Sequence, residues 1–384
     1  MKNYIELYKN ELLERVVPFW MMNSPDPEFG GYFTCLDRKG KVYDTDKFVW
    51  LQARQIWLFS TLYDKIENKR EWLRLAQSGA DFLMKYGHDK NGDFYFSLDR
   101  KGNPLVQPYN IFSDCFSAMA FGALYKIDPK EEYAQLARRT FNQILSRQKN
   151  PKGKYNKVYP GTRELKNFAL PMILSNLSIE MEHLLEEKTV RELVPMVIRE
   201  VMEVFCQKDS GLILENVCLD GTFSDSFEGR LTSPGHAIEA MWFMLDLSVR
   251  LNDKHLATRA IDTGMKTLEF GWDEEYGGIF YFLDYKGYPP DKLEWNQKLW
   301  WVHLESLVFL AKAYLHTRDE NCKQWFEKVH EYTWKHFRDP DFPEWYGYLD
   351  RYGKLLLPLK GGKWKGCFHV PRGLFQVWKT LEKL

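Results

Sequence analysis

Apolar and polar residues alternate along this chain in two different helical patterns. In the first, charged stretches carry a single apolar stripe, as in residues 72–86, 133–148, 190–206 and 256–270. Such a helix rests one face on a core and shows the other to water. Residues 4–16 begin the same way, with Tyr4, Leu7, Tyr8, Leu12 and Val16 at helical spacing. In the second pattern apolar residues fill most positions, over 48–63, 111–125, 167–185, 234–251, 298–315 and 371–384. A helix of that kind is buried on most sides.

Between the two kinds lies a recurrent glycine-bounded segment that reads as a short hairpin. It is clearest as GYFTCLDRKG (31–40), GDFYFSLDRKG (92–102) and GIFYFLDYKG (278–287), with shorter or degenerate copies from Gly153, Gly211 and Gly347. The leading glycines are spaced by 61, 61, 58, 67 and 69 residues, which marks a repeat architecture. Six amphipathic helices alternating with six apolar ones predict an all-α fold. It is an (α/α)6 toroid, a barrel of six helix pairs with the apolar set inside and short β-hairpin loops at one end. Length alone suggests two or three domains. No Pro/Gly/Ser-rich linker interrupts the repeats, however, so residues 1–384 read as a single barrel. Every hairpin precedes an inner helix, which crowds six loops and six helix N-termini at one end. A pocket is expected there.

The stretch 231–245, LTSPGHAIEAMWFML, places titratable groups at that end. Ser233 and Pro234 read as a helix start, and His236 and Glu239, at i and i+3, then share one face. Alone, this pair reads equally well as a core histidine satisfied by a glutamate. In the first inner helix Arg54 follows Trp50 by one turn within an otherwise apolar stretch. A buried arginine needs a partner or an anionic ligand. In the fifth, Glu305 shares a face with Trp301, while His303, two residues away, points elsewhere and reads as structural. In the last, His369 stands just before Pro371, with Arg372 beside it.

Composition narrows the function. The chain has 53 basic and 53 acidic residues, and a zero balance gives no footprint for nucleic acid or an anionic membrane. No apolar run approaches the roughly 18–20 residues that span a bilayer. The N-terminus carries a charged helix pattern, not a signal peptide. Six scattered cysteines without Cys-x-x-Cys spacing predict neither a disulfide framework nor a zinc site, and suit a cytoplasmic protein. Aromatic residues make up 16% of the chain, and flat apolar faces suit sugar rings as well as cores. Dinucleotide, P-loop and zincin motifs are absent. The run Gly361-Gly362-Lys363 resembles part of a phosphate loop, but nothing follows it correctly.

The segments WLQARQIWLFSTLY, LPMILSNLSIEM, SPGHAIEAMWFML, KLWWVHLESLVF and FHVPR occur in that order and closely resemble the N-acylglucosamine 2-epimerase family. The resemblance runs over all six repeats. It implies an (α/α)6 barrel, commonly a homodimer, that interconverts N-acetyl-D-glucosamine and N-acetyl-D-mannosamine. It implies catalytic roles for Arg54, His236, Glu305 and His369. Glu239, Asn176, Trp242 and Trp301 fall where the wider superfamily lines its pocket, and Arg372 joins them as a substrate-binding candidate. Mammalian members respond to ATP, so ATP enters as an allosteric activator here, supported only by the incomplete glycine-lysine run. Cellobiose 2-epimerases are cousins that carry a different final motif.

Epimerisation at C2 removes a weakly acidic proton next to the C1 aldehyde of the open-chain sugar and returns one to the other face. Two histidines suit this because their ordinary pKa lies near the working pH. Arg54 would stabilise the enediolate-type oxygen, and no metal or redox cofactor is required. A related aldose–ketose isomerase, an inverting glycosidase and a non-catalytic sugar- or partner-binding protein remain the alternatives. The glycosidase would need two carboxylates flanking a scissile bond.

Overall fold

The nearly continuous apolar stretches fold as helices sheltered from water on almost every side. In the computed structural model, which describes residues 1–159 and 161–384, these inner helices are Val49–Lys65, Ile111–Ile127, Ala169–Glu180, Pro234–Leu251, Trp300–Thr317 and His369–Leu381. Each packs on the next. The ring closes where Phe368, at the head of the sixth, meets Trp57 of the first with ring centroids 5.4 Å apart. The amphipathic stretches wrap outside as a composite N-terminal helix (residues 2–23), Arg70–Tyr86, Glu131–Ser146, residues 187–204, Lys254–Gly271 and Glu320–His336. This is an (α/α)6 barrel. Close inner–outer contact has a sequence cause at Gly264, where a Cβ would lie 2.2 Å from the Phe309 ring.

The third and sixth inner helices depart most from the sequence-based bounds; the first, second and fifth shift by at most two residues at either end, and the fourth keeps its bounds. The third is shorter, because Leu165–Asn167 stays extended against Asn216–Cys218 and the Asn167 side chain accepts the Ala169 N–H at 3.1 Å. Beyond Glu180 the chain tightens into the 3-10 turn Glu182–Leu184. The sixth starts two residues early, at His369. Pro371 is tolerated there because a first-turn residue has no intrahelical acceptor to lose.

The hairpins form a stitched collar over the inner-helix N-termini. Residues just before an inner helix pair antiparallel with the hairpin of the next repeat: Lys47–Phe48 with Ser97–Leu98, Leu231–Thr232 with Leu283–Asp284, and Lys298–Leu299 with Tyr348–Leu349. An isolated bridge between Asp37 and Leu359 does the same from last repeat to first. Turns such as Asp99–Gly102 close on a bond from the Gly102 N–H to the Asp99 carbonyl at 3.1 Å. Gly102 takes φ +95°, which side-chain-bearing residues adopt only with strain.

Three buried ion clusters clamp this collar. Lys47 donates to Asp26 at 2.9 Å, Lys298 to Asp273 at 3.0 Å and Lys360 to Asp339 at 2.8 Å. Each aspartate also receives an arginine from a hairpin, Arg100, Arg351 and Arg38 respectively. The recurring Leu-Asp-Arg of the repeats is therefore partly a clamp sequence. Burial alone would raise the Asp26 carboxyl, but hydrogen bonds from Arg100 and Lys47 outweigh it and hold it at about 2. No helix among the described residues is long and apolar enough to cross a membrane.

Candidate active site

Helix starts set the level at which each candidate side chain enters the barrel. The Ser233 hydroxyl accepts the His236 N–H at 3.5 Å, and Pro234 opens the fourth inner helix. His236 thus sits in the first turn. Trp301 is the second residue of its helix and His369 the first of its own, so all three share the rim. Arg54, Glu239 and Glu305 are each the sixth residue of their helices, roughly one turn, ~5 Å, deeper.

At the rim the Trp301 ring neighbours both histidines, its centroid 5.2 Å from that of His236 and 5.7 Å from that of His369. Gly235 makes room for it, since a Cβ there would lie 2.7 Å from the indole. Each imidazole is held by a carboxylate at Nδ1. Glu215 places its two oxygens 3.0 and 3.1 Å from Nδ1 of His236. Glu305 Oε1 lies 2.8 Å from Nδ1 of His369. Carboxylate partners fix ring orientation and leave Nε2 of each ring for a ligand.

The two environments differ in charge. Burial by itself would lower the His236 pKa, but the Glu215 charge and hydrogen bond, helped by Glu239, raise it above the ordinary value. For His369, burial and the charges of Arg54 and Arg372 push the pKa well below the ordinary value. The Glu305 contact does not reverse this, because Oε1 is shared with the Arg372 guanidinium at 2.7 Å and its charge is already matched. Arg372 also binds Glu239.

Arg54 has no carboxylate of its own. Its guanidinium lies 4.3, 3.9 and 4.5 Å from the ring centres of Trp50, Phe116 and Phe368, and its Nε is buried without a hydrogen-bond partner. Burial first, then the Arg372 charge, lower its pKa to about 9, with Glu239 and Glu305 opposing through space. Glu239, Glu305 and His369 bring ligand atoms within 4.8 Å of one another, the spacing of a metal site. Arg372 bridges the two carboxylates, so a guanidinium already supplies the positive charge that an ion would bring.

The sequence pattern of the N-acylglucosamine 2-epimerase (GlcNAc 2-epimerase) family matches residues 31–370. The chain is 40% identical to an N-acylglucosamine 2-epimerase of Mus musculus over 381 residues, covering 97% of this chain and 90% of the relative. Identity to that of Homo sapiens is 39%, with 97% and 89% covered. The chain belongs to the N-acylglucosamine 2-epimerase family. Among solved structures, the cellobiose 2-epimerase of Bacillus thermoamylovorans B4167 superposes with a TM-score of 0.84 at 21% identity, covering 99% of this chain and 100% of that one. That likeness speaks for the barrel alone.

Within this family barrel the residues singled out from sequence fall into three groups. His236, His369, Trp301 and Arg54 meet around the rim and the wall below it. Asn176 sits largely buried at the eighth residue of the third inner helix, and none of the contacts above includes it. The other four are tied to one another. Glu305 is fully buried; it holds His369 and Arg372 and accepts the Trp242 indole N–H at 2.8 Å. It is a support behind the pocket. Trp242, buried, with its N–H on Glu305, backs that support. Arg372, almost unexposed, ties Glu239 to Glu305, and its Nε, like that of Arg54, has no hydrogen-bond partner. Glu239 binds Arg372, and its expected partner His236 is held by Glu215. Helical spacing fixed the face of each side chain, while its depth depended on neighbouring helices.

His303 lies away from the rim. It receives the Ile279 N–H at 2.9 Å on Nε2, its Nδ1 is 2.7 Å from the Leu299 carbonyl, and burial lowers its pKa to about 3. The Gly361-Gly362 pair serves packing: a Cβ on Gly361 would meet the Thr34 carbonyl at 2.1 Å, and the Gly362 N–H bonds the Lys365 carbonyl. These contacts engage the two glycines in the collar.

Glu215 was missed from sequence because it lies in the degenerate fourth hairpin. A signal existed. Its carbonyl accepts the Phe168 N–H at the head of an inner helix, and the same position in other copies is Phe96, accepting from Val49, and Gly347, accepting from Trp300. A carboxylate replaces apolar residues at a buried collar position.

Proposed function

We propose that this chain interconverts N-acetyl-D-glucosamine and N-acetyl-D-mannosamine by passing the C2 proton of the open-chain sugar through two histidines. The observation that carries the reading is the pair of imidazoles beside Trp301, each anchored at Nδ1 by a carboxylate, in surroundings that raise the pKa of one and lower that of the other. Groups pushed apart in this way are suited to be base and acid at one pH. In one direction neutral His369 takes the C2 proton and the C–H electron pair moves to C1–O1 as an enolate. Arg54, the cation without a carboxylate partner, stabilises O1. Protonated His236 then delivers a proton to the opposite face, and the reverse reaction exchanges the two roles. Both bonds at C2 are accounted for, and no electrons leave the sugar.

Incubation with N-acetylmannosamine in deuterated water tests this. Deuterium at C2 together with N-acetylglucosamine is the expected result. A ketose formed from D-mannose, with N-acetylmannosamine unchanged, points instead to an aldose–ketose isomerase. No exchange from any sugar points to a binding protein.

Further parts of the reading are a cytoplasmic location, a homodimer, and independence of metal and redox cofactors. Six unpaired cysteines support a reducing compartment, and a proton shift within one substrate needs no redox partner.

Glu305 and His303 share a helix but differ in role, which a pair of variants separates. Glu305→Gln is expected to lower kcat by about 100-fold or more, as removal of a carboxylate that orients a catalytic imidazole does. His303→Asn is expected to leave kcat within a few-fold and to lower stability by about 1–3 kcal/mol, the cost of an unpaired buried polar group. Steady-state kinetics and thermal melts measure both. The opposite activity ranking would remove the assignment on the fifth helix.

A further inference from the structure

We infer that Glu215 is a positioning residue that keeps a proton on His236 and so gives the two histidines unequal starting states. The inference rests on the two-histidine reading above. Its geometry is independent of that reading. Glu215 is pinned by its backbone on two sides: its N–H donates to the Leu231 carbonyl at 2.8 Å and its carbonyl accepts from Phe168 at 2.9 Å. The side chain is 7% exposed, and both oxygens face one imidazole nitrogen. A buried carboxylate at a position that is apolar in a sister repeat costs stability unless it is paired. His236 is that pair.

The surroundings of His236 favour the charged ring. Glu215 faces it from the collar and Glu239 from the next turn of its own helix. Tyr281 comes from the following hairpin, its phenol kept neutral by burial and by Glu294 and Glu215. Beside the same Trp301 stands His369, held neutral by burial together with Arg54 and Arg372. Among these groups only Glu215 bonds to His236, whereas the carboxylate at His369 is shared with a guanidinium. An opposite charge in hydrogen-bond contact favours the charged imidazole. His236 therefore starts as the acid and His369 as the base. In a pH profile the loss of activity at high pH reports deprotonation of His236, and the loss at low pH reports protonation of His369.

The sign for Glu215→Gln follows directly. Removing the negative charge lowers the His236 pKa, so the basic limb of kcat/KM moves to lower pH by about one unit or more, while the acid limb stays in place. The His236 imidazole, followed by NMR on histidine-labelled full-length protein, should titrate lower by the same amount. Glu215→Asp should restore part of both shifts. A purely structural Glu215 would lower activity evenly across pH with neither limb moving, and that result overturns the proposal. If Glu215→Gln does not fold, the wild-type titration decides: a His236 that titrates at or below the ordinary imidazole value overturns the proposal. Near-normal epimerisation by His236→Asn would instead remove the two-histidine reading, wherever His236 titrates.

Discussion

His236→Asn and His369→Asn are each expected to abolish net epimerisation while leaving hydrogen exchange from one epimer apiece. The two side chains enter from the fourth and sixth inner helices with Trp301 of the fifth beside both, so a sugar held at the rim offers them different faces. In a two-base mechanism each histidine removes the C2 proton from only one epimer. With one histidine gone, the other still abstracts from its own epimer and returns a solvent proton to the same face. Complementary behaviour follows. One variant exchanges C2 hydrogen of the gluco sugar and the other that of the manno sugar, read by NMR in deuterated water. Net turnover should fall by at least 10²–10⁴-fold, about the contribution of a positioned acid or base. Near-normal epimerisation by either variant would force one base to serve both faces and would end the assignment.

Arg54→Lys is expected to lower kcat by about 10²–10³-fold, the effect of losing one directed donor to a developing oxyanion. Lysine keeps charge but loses the planar fork and fits the cage of Trp50, Phe116 and Phe368 less well. Arg54→Met is expected to be inactive and at least as stable as the parent. A buried cation with an unpaired Nε is a cost that an apolar side chain removes, so activity and melting temperature should move in opposite directions. There is a second readout. Arg54 is among the charges that hold the His369 pKa down; its removal raises that pKa, and the acid limb of any residual activity moves to higher pH. If Arg54→Lys unfolds the protein and the remaining folded fraction is fully active, the arginine is structural.

Much of the scaffold was legible in the sequence for one reason: repeats write the same short-range pattern six times. The leading glycines fix the hairpins, and the apolar stretches fix which helices lie inside. Ser233 and Pro234 mark a helix start from local chemistry alone. The sequence makes the third inner helix too long at both ends: strand pairing with a hairpin some fifty residues away claims Asn167, and the chain tightens into a 3-10 turn after Glu180. The sequence sets the start of the sixth two residues late, at a proline that the first turn can accommodate, and its end three residues late. Within the site, spacing put Arg54, Trp301 and Glu305 on the correct helices and turned His303 away. It did not show that Glu305 lies wholly behind His369.

Sequence by itself determined the closed ring, the order of its inner helices and the level at which His236, Trp301 and His369 enter, because periodicity and capping act within a few residues. The partners were decided only in three dimensions. Glu215 reaches His236 from the hairpin 21 positions earlier, Glu305 reaches His369 across 64 positions and Glu239 reaches Arg372 across 133. Such contacts depend on how helices and collar segments rotate and pack against one another to within a hydrogen-bond length. Burial and neighbouring charge then bias one imidazole toward the proton and the other away from it. That asymmetry belongs to the folded barrel, since Glu215 for His236 and Arg54 for His369 come from other elements, and near neighbours such as Glu239 and Arg372 act only as the packing places them.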